Sequence, residues 1–357
     1  MELGDRKKTI LKAIVDDYII TGEPVGSRTI SKKYKIGISS ATIRNEMSDL
    51  EDMGLLEQPH TSAGRIPSDK GYRLYVDQLM EIEYPSYEET ARIKNLLHLA
   101  TINEMDEIIR RTTKLLSEIT KYTSAMLSPS VKKSTLKSIQ LIKVDSTNVV
   151  AVIITDTCLI KNVVVRVPEG IESDALNKIN NMLNTKLPGR TIEEITPQLI
   201  FSIQNEMVDY KEIFKAIIPA IYESLNSNEC EVYLEGATNI FEYPEYSSDM
   251  SKAKNFLSII ENKDVIFELF SDGKKSFSVS IGEENGIEQV KDCSVIKASY
   301  KVGGKDAGKI GIIGPTRMNY SKVTGILKFI AYTLNNMLNN NIEENKNNDK
   351  WGWLNVR

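Results

Sequence analysis

Within the seven residues Ser39-Ser40-Ala41-Thr42-Ile43-Arg44-Asn45 lie a guanidinium fork, a carboxamide, three hydroxyls and an alanine methyl. Those groups suit the edges of base pairs, where a guanidinium matches guanine, a carboxamide matches adenine and a methyl packs on thymine. Upstream, Arg28, Lys32, Lys33 and Lys35 join Arg44 to give five basic residues and no acid between Pro24 and Asn45. That is the local charge that phosphate contacts require. Downstream, His60, Thr61, Ser62 and Arg65 make a small polar cluster with one strong cation. Such a cluster can lie along a nucleic-acid backbone or enter a minor groove.

These side chains need elements that hold them outward. Ile10, Leu11, Ile14, Val15 and Tyr18 repeat at helical spacing, with Asp5 placed to cap the helix and Gly22 and Pro24 placed to stop it. A short second helix runs from a Ser27 cap to Tyr34, Gly37 makes a turn, and a third helix starts near Ser39 or Ser40. Ile43, Met47 and Leu50 repeat at i, i+4 and i+7 and face inward. Ala41, Thr42, Arg44, Asn45 and Ser48 are then left on the outer side. The expected roles are base reading for Arg44 and Asn45, helix placement for Ser40 and Thr42, and phosphate holding for Lys32 and Lys33.

Glu57-Gln58 and Arg65-Ile66 form the arms of a hairpin whose tip is Pro59 to Gly64, and His60, Ser62 and Arg65 are its expected contacts. Gly71 to Met80 returns to helix, with Tyr72, Tyr75, Val76 and Leu79 packing back. A helix-turn-helix followed by a hairpin wing is the order of parts in a winged-helix DNA reader. Taken alone, Ser, Thr and Asn at a helix start are ordinary caps, and a polar outer face ordinarily meets water. The basic helix before and the hairpin after tip the reading toward DNA. Asp16-Asp17 and Glu51-Asp52 read as solvated acids on outer flanks.

Beyond the reader, Tyr87 to Tyr122 is helical twice over. Ile93, Leu96, Leu97 and Ala100 form one stripe, and Ile108, Thr112, Leu115, Leu116, Ile119 and Tyr122 another, with Asn103 placed to cap the second. A two-helix linker is the default reading and a dimer seam the alternative. Leu136 to Val144, Val149 to Ile154 and Cys158 to Val167 are β-branched runs separated by short polar turns, the pattern of an antiparallel meander. Helices are expected at Leu176 to Leu187, Ile213 to Leu225, Lys252 to Ile260 and Lys322 to Leu338. Strands are expected at Glu231 to Leu234, Val265 to Phe270, Ser276 to Ile281, Ser294 to Val302 and Gly308 to Ile313. The tail from Asn339 reads as disordered, and Trp351 and Trp353 within it have no account.

Three groups of motifs carry a resemblance to a known family. Gly22-Glu23-Pro24-Val25-Gly26-Ser27, Ser40-Ala41-Thr42-Ile43-Arg44-Asn45, and Thr61-Ser62-Ala63-Gly64-Arg65-Ile66-Pro67 with Gly71-Tyr72-Arg73 closely resemble the heat-inducible transcription repressor family, HrcA. The likeness resumes at Leu234-Glu235-Gly236, Asn239-Ile240-Phe241 and Pro244-Glu245, and again at Gly311-Ile312-Ile313-Gly314-Pro315-Thr316-Arg317-Met318. It extends to about Asn336. The resemblance implies an α+β multidomain chain: a winged helix-turn-helix at 1–82, a GAF-like α/β domain split between 83–168 (with linker helices) and 264–338, and an inserted dimerisation domain at 169–263. It implies a homodimeric repressor bound to the inverted-repeat operator of chaperone operons, with a GroEL-type chaperonin as modulator.

Composition narrows the field. An apolar fraction of 41% and a charged fraction of 26% in 357 residues describe a soluble globular chain of two or three domains. No apolar run approaches membrane length, and the start of the chain has no signal core, so the expected location is the cytoplasm and no membrane partner is expected. Cys158, Cys230 and Cys293 are odd in number and far apart, and His60 and His98 are the only histidines, so neither a metal nor a cofactor is expected. Gly303-Gly304-Lys305-Asp306-Ala307-Gly308-Lys309-Ile310 lacks the Ser or Thr of a phosphate loop and precedes a strand, so a hairpin turn explains its glycines. No nucleophile–base constellation stands out and an enzyme is not expected. Two rival readings stay open: a winged-helix regulator controlled by a small effector in the GAF-like domain, and a structural protein using the winged helix for protein contacts.

Overall fold

Gly22 shows how local signals shape the first element of the fold. Its φ of +70° is the left-handed conformation that ends a helix, and its N–H returns to the Tyr18 carbonyl to close α1, Asp5–Thr21. The computed structural model describes residues 3–34, 36–100, 105–129, 134–157, 160–206, 210–226, 230–271 and 275–340. Lys35, Asn103, Cys158, the His98 side chain and the tail with Trp351 and Trp353 lie outside the described residues.

The first unit follows the expected order. After α1 come α2 (Ser27–Lys33), α3 (Ser40–Asp52), the two-stranded wing of β1 (Leu56–Glu57) and β2 (Ile66–Pro67), and α4 (Asp69–Leu74), which runs on as a π-helical turn over Tyr75–Leu79. Ile10, Leu11 and Ile14 of α1, Ile30 of α2, and Ile43, Met47 and Leu50 of α3 are buried together. Two details differ from expectation. Gly4 and Gly26, not Asp5 and Ser27, occupy the positions before α1 and α2, and neither cap involves a side chain. Asp16 and Asp17 are not solvated either. Asp17 is 4% exposed, and Asp16 accepts a hydrogen bond of 2.6 Å from the Tyr75 hydroxyl. Burial, opposed by that hydrogen bond, leaves the Asp16 carboxyl above its ordinary value.

The remaining chain builds two sheets. Helices α5 (Tyr87–Ala100) and α6 (Met105–Thr120) lead into β3 (Thr123–Leu127). A meander of β4 (Leu136–Lys143), β5 (Asn148–Thr155) and β6 (Ile160–Arg166) follows, with α7 (Ser173–Lys186), α8 (Pro197–Glu206) and α9 (Lys211–Asn226). Next come β7 (Val232–Glu235), α10 (Pro244–Ser247), α11 (Met250–Glu261), α12 (Lys263–Ser271), β8 (Phe277–Ile281), β9 (Cys293–Val302), β10 (Lys305–Pro315) and α13 (Tyr320–Asn340).

The order β7-β3-β10-β9-β8, antiparallel throughout, makes the larger sheet, and β4-β5-β6 is a separate three-stranded sheet. The meander therefore does not pair with the late strands, contrary to the expectation that they build one α/β domain. Gly303 and Gly304, at φ +57° and +79°, make the tight β9–β10 hairpin.

Helices α5, α6 and α13 lie on one face of the larger sheet and α11 and α12 on the other. Two further expectations change as a result. The α5–α6 pair is part of the helical layer rather than a linker: Ile108, Ile109, Leu115 and Leu116 of α6 are buried beneath the sheet and α13, and Ile93 and Leu97 of α5 are buried where it packs on α6 and α13. Val265 to Phe270 is helix α12, not a strand. Asn262 accepts N–H bonds from Asp264 and Val265 at its start, and Ile266, Leu269 and Phe270 bury one helical face. Strand β3 went unread because both of its faces are covered, so Thr123–Leu127 lacks the polar alternation that betrays a half-exposed strand.

Candidate nucleic-acid interface

Ser39 sets the start of α3. Its hydroxyl accepts the Thr42 N–H at 3.1 Å and bonds the Thr42 hydroxyl at 2.9 Å, so the two side chains brace each other at the helix start. With Ile43, Met47 and Leu50 turned inward, Ala41, Arg44, Asn45 and Ser48 are exposed on the opposite edge, while Ser40 and Thr42 are half-buried. Arg28 and Lys32 are exposed on α2, and His60, Thr61 and Ser62 are exposed at the wing tip. Among the described residues Arg28, Lys32, Arg44 and Asn45 have no side-chain hydrogen bond or ion pair. An exposed guanidinium and carboxamide side by side on one helix edge are free to meet base edges.

Two of the expected contacts are otherwise engaged. The Lys33 amine pairs with the buried Asp17 carboxylate, tying α2 to α1, and lies 5.6 Å from the centre of the Tyr34 ring. Its pKa is raised, the Asp17 hydrogen bond being the largest cause. Arg65 turns away from the wing tip. Its Nε and Nη2 donate to Glu51 of α3 at 2.8 and 2.7 Å, and its backbone exchanges two 2.9 Å bonds with Val25. Glu51 is thus a strut between α3 and the wing, not the solvated acid that the sequence suggested.

The wing carries its own bracing, which sequence reasoning missed. The Gln58 carboxamide donates to the Thr61 and Ala63 carbonyls at 3.0 and 3.1 Å, which folds the tip back on its own arm. Gly64 is needed for close approach: a Cβ there would stand 2.5 Å from the Val25 carbonyl carbon and oxygen. A glycine immediately before the cation was the available signal. On the far side of α3, Lys7 bonds Glu46 at 2.7 Å and Asp49 at 2.8 Å. Glu46 and Asp49 are thereby paired on the side of α3 away from the Arg44 edge.

Among the described residues no group of His, Cys, Asp and Glu could hold a metal ion, and no helix is long and apolar enough to cross a membrane.

Comparison with known proteins agrees with this geometry. Residues 2–80 match the family model described as winged helix-turn-helix transcription repressor, HrcA DNA-binding, and residues 106–324 match the HrcA protein C terminal domain. The heat-inducible transcription repressor HrcA of Clostridium botulinum (strain Alaska E43 / Type E3) is 50% identical over 342 residues, covering 95% of this chain and 99% of that protein. That of Clostridium tetani is 48% identical over 340 residues, covering 95% and 96%. A crystal structure of a hypothetical protein at 2.2 Å resolution shares the fold, with a TM-score of 0.61 and 23% identity over 95% of this chain and 99% of that one. Matches to both family models, together with half of all residues shared with curated repressors over nearly the full length, place the chain in the HrcA family of heat-inducible transcription repressors.

Proposed function

We propose that this repressor binds, as a homodimer, the inverted-repeat operator of chaperone operons. The observation that carries the reading is the exposed edge of α3, where Arg44 and Asn45 stand unpaired beside Ala41 and Ser48. In this reading Arg44 and Asn45 meet base edges, and Arg28, Lys32 and the α3 start around Ser40 hold phosphate. His60, Thr61 and Ser62 follow the backbone from the wing. Lys33 and Arg65 become braces that aim α2 and the wing.

An inverted repeat needs two readers about one helical turn apart, roughly 34 Å, or a multiple of that. The three-stranded sheet supports a second copy. Its outer face carries Ile142, Val150 and Val164 in one cross-strand row and Ile154 and Ile160 in another, with Ile142, Ile160 and Val164 exposed. Its β4 edge is closed instead, since the Asn184 carboxamide pairs both the N–H and the carbonyl of Ile139. We draw the inserted dimerisation unit around this sheet, at 134–226 in place of 169–263, and assign the five-stranded unit as the GAF-like core.

Modulation by a GroEL-type chaperonin belongs to the same proposal. It requires a modest folding deficit, because a protein with a few kcal/mol in hand can lose its active fraction to competition for folding help. A gel shift with a chaperone promoter fragment, against the same fragment with one repeat arm scrambled, tests the operator. Retention of both fragments at equal affinity refutes it. Refolding with and without chaperonin tests the modulation, and equal yields of operator-binding dimer refute that part.

A further inference from the structure

Behind the reading face, the winged helix is seated on the carboxy-terminal unit at three separate points. At the first, Arg317 reaches the end of α1. Its Nη1 donates to the Ile19 carbonyl at 2.9 Å, one of the last-turn carbonyls that a helix leaves without an internal partner. The other edge of the same guanidinium forms a bidentate pair with Glu245, both contacts at 3.0 Å, and its carbon lies 5.8 Å from the Tyr243 ring centre. Burial pulls the Arg317 pKa down, but the Glu245 pairing outweighs it and leaves the charge secure.

At the second point the direction of reach is reversed. Arg73 of α4 donates to Glu284 through Nε at 2.8 Å and through Nη2, and to the Val279 carbonyl at 2.7 Å. At the third, Ser321 at the start of α13 donates to the Glu81 carbonyl and accepts the Glu83 N–H at 3.0 Å. Tyr72 of α4 and Tyr320 of α13 pack between these points with ring centres 5.7 Å apart.

A glycine stands at each point: Gly22 and Gly282 hold φ of +70° and +58°, which by itself favours glycine, and Gly325 is there for room. A Cβ on Gly22 would meet the Arg317 guanidinium carbon at 3.3 Å, one on Gly282 the Asp69 carboxylate at 1.7 Å, and one on Gly325 the Glu83 carbonyl at 1.9 Å. Gly325 is the most telling of the three. It lies inside α13, where glycine weakens a helix relative to alanine, so its presence serves the neighbouring chain rather than its own helix.

From this we infer that Arg317, Arg73 and Gly325 are positioning residues for operator recognition. They fix the angle of the winged helix on the five-stranded unit, which carries the proposed dimerisation sheet, and so help set the distance between the two α3 edges. The inference rests on the proposed reading of a dimer on an inverted repeat. A dimer with a rigid seat binds its second half-site as an intramolecular event at the correct spacing; a loose seat spreads the second reader over many positions and lowers its effective concentration.

The test uses the full chain as Gly325→Ala, as the pair Arg73→Ala with Arg317→Ala, and as Arg317→Lys. Each is titrated on the operator, on an operator with its spacer altered by half a helical turn, and on a single half-site. Hydrogen exchange at Glu83 reports the seat itself without DNA. Wild type should show a protected Glu83 amide and a strong preference for the native spacing. Gly325→Ala and the double variant should lose that protection and keep half-site affinity. Their affinity for the native operator should fall by about tenfold or more, with the spacing preference flattened. Arg317→Lys, which cannot form the fork, should fall between.

Variants that expose Glu83 yet keep the wild-type spacing preference overturn the inference. So does a wild-type Glu83 amide that exchanges freely, or a half-site affinity that falls in step with the operator. A wild type that fails to tell operator from scrambled duplex instead sinks the DNA reading, while the exchange data still decide whether the seat is rigid.

Discussion

Arg44 at the outer edge of α3 and Arg317 at the back of the winged helix carry the same side chain in opposite settings. Arg44 is exposed and has no partner among the described residues, whereas Arg317 is 12% exposed and is held by a carboxylate, a helix-end carbonyl and a tyrosine ring. The contrast extends to the rest of the module. Lys7, Lys33, Arg65 and Arg73 are spent on acids of the fold, and Arg28, Lys32 and Arg44 are not. Partnered charges position the reader, and unpartnered ones on a single face are available to a ligand. Exposure alone would not separate the groups, because Lys32 and Lys33 are both exposed on α2.

Neighbouring residues on α3 give the sharpest way to break this comparison. Ile43 is fully buried, so Ile43→Ala should cost about 2–5 kcal/mol of stability and abolish binding to every duplex, read by denaturant unfolding. Arg44→Ala should leave unfolding unchanged and cost about 1–3 kcal/mol on the operator, with little loss on random DNA. Equal losses on both duplexes would reduce Arg44 to a phosphate contact.

The Arg65–Glu51 strut comes next. A double-mutant cycle on unfolding should return a coupling of about 1 kcal/mol, the scale of a partly exposed ion pair with good geometry. A coupling near zero would return Arg65 to the set of candidate DNA contacts. Lys32 and Lys33 then offer a matched pair. Lys32→Ala should lower affinity for all DNA and reduce the salt slope by about one, while Lys33→Ala should leave the slope intact and lower the unfolding midpoint, since Asp17 loses its partner. Identical salt slopes for the two variants would dissolve the division between structural and available charge.

The smallest expected effect concerns pH. Burial pushes the Glu284 carboxyl up, but the Arg73 hydrogen bond, the Ile281 N–H and the Arg73 charge outweigh it, and its pKa ends below the ordinary 4.5. A lowered carboxylate contributes stability above its unfolded pKa and loses it as pH falls through the folded value. The difference in unfolding midpoint between wild type and Glu284→Gln should therefore be present at neutral pH, shrink as pH falls below the ordinary 4.5, and vanish only once pH is below the lowered folded value. A difference that persists in acid would assign the effect to packing.

The reader was legible in the sequence, because its signals act over a few residues. Gly22 closes α1, Ser39 caps α3, and the Ile43-Met47-Leu50 stripe fixes which edge of α3 is left outside. The apolar run Val265 to Phe270 was not, since a short buried run has no period that tells helix from strand, and the Asn262 cap was the deciding local fact. Strand β3 was hidden by burial on both faces, and the separation of the meander from the late strands depends on pairings that no single segment encodes.

By itself the sequence determined the helix-turn-helix, the wing and the outward placement of Arg44 and Asn45, through backbone preferences and periodicity that need no distant partner. Only the tertiary structure decided which charges are available. Lys33 meets Asp17 across two helices, Arg65 meets Glu51 across the wing, and Arg317 caps a helix that ends nearly three hundred residues earlier. Ion pairing depends on distance through space, and that distance does not exist until the chain has folded.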